Sequence, residues 1–366
     1  MALIVAFFAS SGSGRSAGEE WQLALPGWVY EFPRDHQPHP DFKTEWWYFT
    51  GNLRDATGRR FGYQLTFFRQ GLRPSSSARV GVSRFVVHDL KFAHFAVTDV
   101  ADDRFHFQQK LSRGAFGEAG FAAPDGSKLA WIEDWTLALE SDGAFHLRAA
   151  TAAARLDLAL KTAKPWAIHG RDGVSQKADG PGRASHYYSG TRLATRGAIA
   201  LGERSFEVKG ESWFDHEWAT NQLTPAQVGW DWFSLHFDDG AELMLYRMRT
   251  RAGGIDANSS GTFIAPDGAT RHLARDDYQL TPLDHWTSRE TRGRYPIAWQ
   301  LTVPSLGLSA KIATPVRAQE LVLQPIAYWE GVVDLEGTRA GAKLRGQGYM
   351  ELTGYAGALV GLASER

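Results

Sequence analysis

The sequence predicts an all-β protein of two related domains with few short helices. Three observations carry this. Asp-Gly pairs recur at Asp125-Gly126, Asp142-Gly143, Asp172-Gly173, Asp239-Gly240 and Asp267-Gly268, several of them between alternating apolar runs. Both positions tolerate positive φ, which tight hairpins require. Long runs of helical period are scarce. Finally, two stretches share one plan: WWYFTGNLRDATGRRFGYQLTFFR from Trp46 and WDWFSLHFDDGAELMLYRMR from Trp230. Each reads as aromatic strand, polar Gly-containing turn, apolar strand and arginine (Arg69, Arg247). FAAPDGSKL and FIAPDGATRHL echo each other in the same way. Such internal similarity suits a duplicated β unit.

The elements follow in order. MALIVAFFASSGSGRSAG reads as a short apolar segment, Ala2 to Ala9, then small residues. It is too short to span a bilayer, and it lacks the basic residues that open a signal peptide. We expect residues 1–21 to be a signal-like or disordered leader and the protein to be periplasmic or secreted. The next stretch, PHPDFKTEWWYFTGNLRD (38–55), leads into the first aromatic strand. Alternation there puts Trp46 and Tyr48 on one face and Glu45 and Trp47 on the other. FGYQLTFFRQG and AELMLYRMR are strand-like, and RVGVSRFVVHDLKF (79–92) fits neither period. WTLALESDGAFHLRA is the clearest hairpin, with Trp135, Leu137 and Leu139 facing Phe145 and Leu147. The Gly-, Ser- and charge-rich segment 164–190 reads as a long loop. The domains are expected at 22–220 and 221–366.

Composition narrows the function. A chain of 366 residues with net charge −1 gives no bulk pull toward nucleic acid. Without cysteine there is no disulfide, thiolate metal site or cysteine nucleophile. No P-loop, no G-x-G-x-x-G after a strand and no G-x-S-x-G elbow is present, so no nucleotide cofactor or serine nucleophile is expected. The aromatic content is high: 14 Trp, 21 Phe and 11 Tyr. Such residues fill β cores and line apolar pockets.

The candidate chemistry lies in GESWFDHEWATNQ, where Asp215, His216 and Glu217 sit between Trp213 and Trp218. In a strand, Asp215 and Glu217 share one face and His216 takes the other. A carboxyl whose pKa is raised by apolar walls can serve as a proton donor. The alternative is a polar strand end with solvated charges. No metal is expected. His36 and His39 are three apart, but they lie far in sequence from Asp215 to Glu217, and no helical H-E-x-x-H occurs. Arg69 and Arg192 suit pairing with buried carboxylates. His88, His94 and His106 read as surface or hydrogen-bonded residues. Glu330 in AYWEG and Glu351 in GYMELTGY read as strand-end charges.

FKTEWWYFTGNL, HYYSGTRL, SWFDHEW, GWDWFSL and the closing AYWEG and GQGYMELTGY resemble a family of bacterial lipocalin-like proteins called AttH or carotenoid 1,2-hydratase (hydroxyneurosporene synthase) proteins. Some members are labelled predicted secreted hydrolases. The resemblance runs from Trp28 to Gly357. It implies two lipocalin-like β-barrel or sandwich domains packed together around an apolar pocket. It also implies a function: an exported protein binding an isoprenoid or lipid-like molecule, with cofactor-independent hydratase activity toward a C=C bond. Alkene hydration needs an acid, aromatic faces for the cation and one water. Asp215, His216 and Glu217 are the candidates for proton chemistry. Glu45, Trp46, Trp47, Tyr48, Tyr187, Trp213, Trp218, Trp230 and Trp232 are the candidates for ligand contact. The alternative is a carrier of hydrophobic metabolites that serves an envelope transport system.

Overall fold

The computed structural model describes residues 20–74, 86–323 and 326–357. The apolar segment Ala2 to Ala9 lies outside them, as do residues 79–85 of the stretch of mixed period. The protein is almost entirely β. A 13-stranded sheet runs β4 (Arg104–Ser112), β3 (Asp89–Asp99), β2 (Arg60–Gly71), β1 (Thr44–Arg54), β13 (Arg204–Ala219), β12 (Ala184–Leu201), β9 (Ala154–Thr162), β8 (Phe145–Ala150), β7 (Trp135–Leu139), β6 (Ala130–Ile132) and β5 (Ala119–Phe121). Two short strands, β10 (Ala167–Ile168) and β11 (Ser175–Gln176), pair with β12. The sheet curls into a nearly closed barrel. Lys110 on β4 reaches Glu133 between β6 and β7 at 2.6 Å, so the two ends of the sheet meet.

A second sheet of 10 strands runs β17 (Thr270–Ala274), β16 (Ser260–Ile264), β15 (Glu242–Thr250), β14 (Gln227–Phe237), β23 (Ala342–Leu352), β22 (Ala327–Arg339), β20 (Leu308–Ala313), β19 (Arg294–Val303) and β18 (Gln279–Thr287), with β21 (Glu320–Val322) on β22. It curls into a half-barrel. Among the described residues no helix is long and apolar enough to cross a membrane.

Alternation along the central strands builds three apolar layers. On β1, Trp47, Phe49 and Leu53 enter the first barrel with Phe214 and Trp218 of β13. On β14, Phe233, Leu235 and Phe237 enter the second sheet's interior with Trp329 of β22 and Met350 of β23. The opposite faces pack together as a middle layer, which holds Tyr48, Trp213, Trp232, Tyr246, Val332 and Tyr349. Central strands are therefore buried on both sides, and their polar residues must find partners inside the protein. The sheets come close at Gly62, where a Cβ would run into the Val332 side chain.

The duplicated hairpins are β1–β2 and β14–β15. They match to the level of one ion pair. Glu45 lies opposite Arg69, and their side chains are 3.1 Å apart. Asp231 lies opposite Arg247 at 2.8 Å. The Asp142-Gly143 hairpin pairs Leu139 with Phe145 and Leu137 with Leu147, and Gly143 takes φ 80°. The expected loop 164–190 is shorter than composition suggested. It carries β10 and β11, and β12 already begins at Ala184. The reason is alternation in HYYS, whose side chains are all buried against partners on both faces of the sheet.

Candidate active site between the sheets

The middle layer does not close everywhere. A cavity of about 240 Å³ remains between β1, β2, β12 and β13 on one side and β14, β15, β22 and β23 on the other. Its walls are largely aromatic and include Trp46, Tyr48, Phe68, Tyr187, Trp230, Trp232, Tyr246 and Tyr328. The carboxyls of Asp215, Glu217, Glu330 and Glu351 also line it, as do Lys177 and His94.

The candidate residues divide between two places. Asp215 and Glu217 face the cavity, and so do Trp46, Tyr48, Tyr187, Trp230 and Trp232. His216 lies on the other face of β13. It stacks on Trp47 at 4.5 Å inside the first barrel, so it is not part of the cavity. Trp47 and Trp218 are core residues of that barrel. Trp213 reaches the site only indirectly, through Asp215. Strand alternation sends His216, Trp218 and Trp47 into the barrel, whereas Trp213 shares the face of Asp215 and packs in the middle layer.

Asp215 is buried and heavily hydrogen-bonded. Tyr187 donates to Oδ2 at 2.7 Å, and Trp213 Nε1 donates to Oδ1 at 2.6 Å. Ser189 Oγ donates to Oδ1 as well. Burial pushes this carboxyl up to about 7, against the pull of those three donors. With both oxygens accepting, a proton on Asp215 reaches the cavity only if one of these bonds breaks. Trp232 Nε1 donates to the Tyr187 oxygen at 3.1 Å, which joins the two sheets. Ser189 also contacts His169 Nε2 at 2.6 Å. The aspartate holds the serine rather than the histidine, so this is not the order of a nucleophilic triad.

Glu330 and Glu351 correct the expectation of strand-end charges. They lie directly opposite each other on β22 and β23, and Glu330 is 1 % exposed. Tyr48 of the other sheet donates to Glu330 Oε1, and Tyr328 lines the same cavity. Oε2 has no hydrogen-bond partner. Burial, and then the neighbouring charge of Glu351, holds Glu330 well above the ordinary carboxylate range. Burial, opposed by a hydrogen bond from Trp230, pushes Glu351 up to about 7. Two facing carboxyls in an apolar cavity cannot both ionise cheaply, so the pair keeps a proton. Oε1 accepts from Tyr48, which leaves Oε2 as the oxygen able to carry a proton when this carboxyl is neutral. His94 Nδ1 lies 2.7 Å from the Tyr328 oxygen. Burial pushes His94 down to about 3, so the neutral ring holds the phenol in place. Glu330 is detectable in sequence as one acid within an otherwise apolar alternation, Tyr328, Glu330, Val332.

At the first-sheet wall, Lys177 Nζ is 3.2 Å from Glu217 Oε1. It donates to Ser175 Oγ at 3.0 Å and lies 4.0 Å from the Tyr246 ring centroid. Burial alone would lower this ammonium, but the Glu217 charge raises it above its ordinary value.

Behind β13, His39, Glu45 and His216 bring potential ligand atoms within 4.8 Å of one another. Two His and one carboxylate form a metal-binding set in other proteins. Here the carboxylate is already engaged. His39 Nδ1 and His216 Nε2 lie 2.7 and 2.9 Å from Oε1, and Arg69 Nε donates to Oε2 at 3.1 Å. A metal ion would have to displace the two imidazole contacts and sit beside a guanidinium. The cluster is instead a hydrogen-bonded brace. Burial opposes ionisation of Glu45, but His39, His216 and Arg69 hold it well below the usual range.

The fold and this site define a class: a two-sheet β protein enclosing an aromatic cavity with buried acids. The chain belongs to the AttH-like family, whose model matches residues 23–355. It is similar to the crystal structure of an AttH-type protein from Nitrosomonas europaea, with 32 % identity, TM-score 0.80, and coverage of 91 % of this chain and 99 % of that one. Kievitone hydratase from Nectria haematococca shares the fold at 15 % identity and TM-score 0.69, covering 93 % and 98 %. CghA, solved with Sch210972, shares it at 12 % identity and TM-score 0.56, with the same coverage. A comparison with curated proteins finds no match.

Proposed function

We propose that the protein binds a small apolar alkene of isoprenoid or lipid-like type between its sheets and adds water to a C=C bond without a cofactor. The observation that carries this reading is the buried carboxyl of Glu330 on the wall of an aromatic cavity, directly opposite Glu351 and with an Oε2 that has no hydrogen-bond partner. Similarity of fold to a kievitone hydratase supports the reaction class.

The alkene π pair takes the proton from Glu330, and a C–H bond forms. The cation develops beside aromatic faces, which stabilise it. A water oxygen then bonds to the cationic carbon and loses one proton. Either carboxylate of the pair can take that proton, which restores the single-proton state. One water is added in sum. Asp215, with three donors, acts as a positioning carboxylate that fixes Tyr187. The cavity is small among ligand sites, which run from roughly 300 to 1,000 Å³. It suits a short prenyl-type chain, or the end of a longer one.

We also propose export to the periplasm or beyond, from the N-terminal sequence. A carrier role for an envelope system is the competing reading. Mass spectrometry of solvent extracts, before and after incubation with short polyisoprenoid alkenes, tests the choice. Gain of one water's mass that is lost in Glu330→Gln is the expected result. A ligand recovered unchanged makes the protein a carrier.

A further inference from the structure

We infer that the protein has a second ligand site, which takes a phosphate group, in a polar cleft at the other end of the sheet interface. The site does not depend on the chemistry of the aromatic cavity. On β1, Tyr48 lines the cavity, whereas Asn52 and Arg54 line the cleft. On β22, Glu330 lines the cavity, whereas Asp334 and Glu336 line the cleft. The cleft has a volume of about 680 Å³, which is ordinary for a ligand site.

Its first-sheet wall belongs to a row of four cations. Arg196 on β12 lies opposite Lys209 on β13, Lys209 lies opposite Arg54 on β1, and Arg54 lies opposite Arg60 on β2. Residues paired in this way point to the same face of the sheet, so their side chains stand side by side. Like charges directly opposite each other destabilise a sheet, and no acid interrupts the row. Folding alone gives no reason for it. Arg60 is neutralised by Asp334 of the second sheet at 2.5 Å. Arg54, Lys209 and Arg196 make no ion pair among the described residues. Arg54 donates to the Gly58 carbonyl oxygen at 3.3 Å, a neutral partner.

Most acids on the cleft walls are already engaged. Arg192 donates to both oxygens of Glu211, at 2.6 and 2.5 Å. Arg60 holds Asp334, and Arg345 lies 3.8 Å from Glu336. Asp238 accepts from the Arg345 backbone N–H. Glu207, two residues along β13 from Lys209, is not on the cleft wall. The walls thus keep the charges of Arg54 and Lys209 against that of Asp238 alone. A carboxylate would satisfy one of the two cations. A phosphate group has up to two charges and several oxygens, so it can meet the fork of Arg54 and the ammonium of Lys209 together.

The test uses the full chain in phosphate-free buffer, titrated with glycerol 1-phosphate in a calorimeter. Saturable binding is expected, and acetate should bind at least about tenfold more weakly. Arg54→Met and Lys209→Met should each weaken the phosphate by at least about tenfold. Both residues are exposed, so the variants should fold and melt no earlier than wild type. Arg289→Met removes an exposed cation from the turn between β18 and β19 and should bind as wild type does. No binding by the wild type overturns the inference, as does acetate binding equally well. So does binding that both cleft variants keep, or that Arg289→Met loses to the same extent. A lower melting temperature in Lys209→Met would show that this charge serves the fold, and would overturn it too. Co-sedimentation with phosphatidylcholine vesicles, with and without phosphatidic acid, then reads the source of the phosphate. Pelleting that requires both phosphatidic acid and Lys209 supports the site as a seat for a lipid headgroup. Glycerol 1-phosphate binding without pelleting supports it as a seat for a free phosphate ester.

Discussion

Glu45 and Glu330 are both 1 % exposed, yet their carboxyls are driven in opposite directions. Glu45 lies in the first barrel among His39, His216 and Arg69, and is held ionised. Glu330 lies in the cavity among two tyrosines and another carboxyl, and its pKa is pushed well above the ordinary carboxylate range. Burial by itself pushes both upward. The partners decide the outcome, because cations favour the charged form and a like charge disfavours it. One acid is therefore braced in its charged form, while the other is biased toward its neutral form. This contrast is sharper than any difference between the two sheets, whose hairpins carry matching ion pairs.

The largest effect should come from removing the cavity acid. Glu330→Gln is expected to lower kcat by 10²–10⁴, with the fold and ligand binding kept. Turnover within tenfold of wild type would place the acid elsewhere, with Asp215 next to examine. On the barrel side, Glu45→Ala leaves Arg69 and His39 without their carboxylate. Breaking such a buried network costs about 3–5 kcal/mol, to be read from denaturant melts. A loss under 1 kcal/mol would mean the brace is not cohesive.

Two smaller effects concern pH. Glu351→Gln removes the charge that helps to raise Glu330. The rate, which needs protonated Glu330, should then fall at lower pH than in wild type, by on the order of one unit. An unchanged alkaline limb would show that the pair does not share its proton. Stability should also shift with pH. Glu351 rises from 4.5 to about 7 on folding. Its contribution is full below pH 4.5 and is lost as pH rises toward 7. Glu351→Gln should therefore gain stability relative to wild type across that window, by on the order of 1–3 kcal/mol. Glu45 has the opposite sign, since its folded value is depressed. Its contribution is present above the ordinary carboxylate range and is lost as pH falls. A Glu45 variant that weakened the protein more in acid than at neutral pH would contradict this.

Much of the architecture was legible in the sequence. Alternation and Asp-Gly turns placed β7 and β8, and the repeated aromatic hairpin identified β1–β2 and β14–β15. Alternation also put His216 on the face away from Asp215 and Glu217. The site was legible only in part. Glu330 and Glu351 resembled strand-end charges, because nothing near them in sequence shows that Tyr48, 282 positions away from Glu330, covers them. Lys177 sat in a polar stretch that composition assigned to a loop.

The sequence by itself determined the all-β class, the strand periods and which side chains share a face. These are short-range properties, set by backbone pleat and turn chemistry within a few residues. Only the tertiary structure decided which acid stays protonated, which is braced, and where an open cavity remains. Those outcomes depend on groups brought together from different strands and different sheets. The electric field at a carboxyl is set by what lies within a few ångströms of it in space, and no local pattern along the chain encodes that distance.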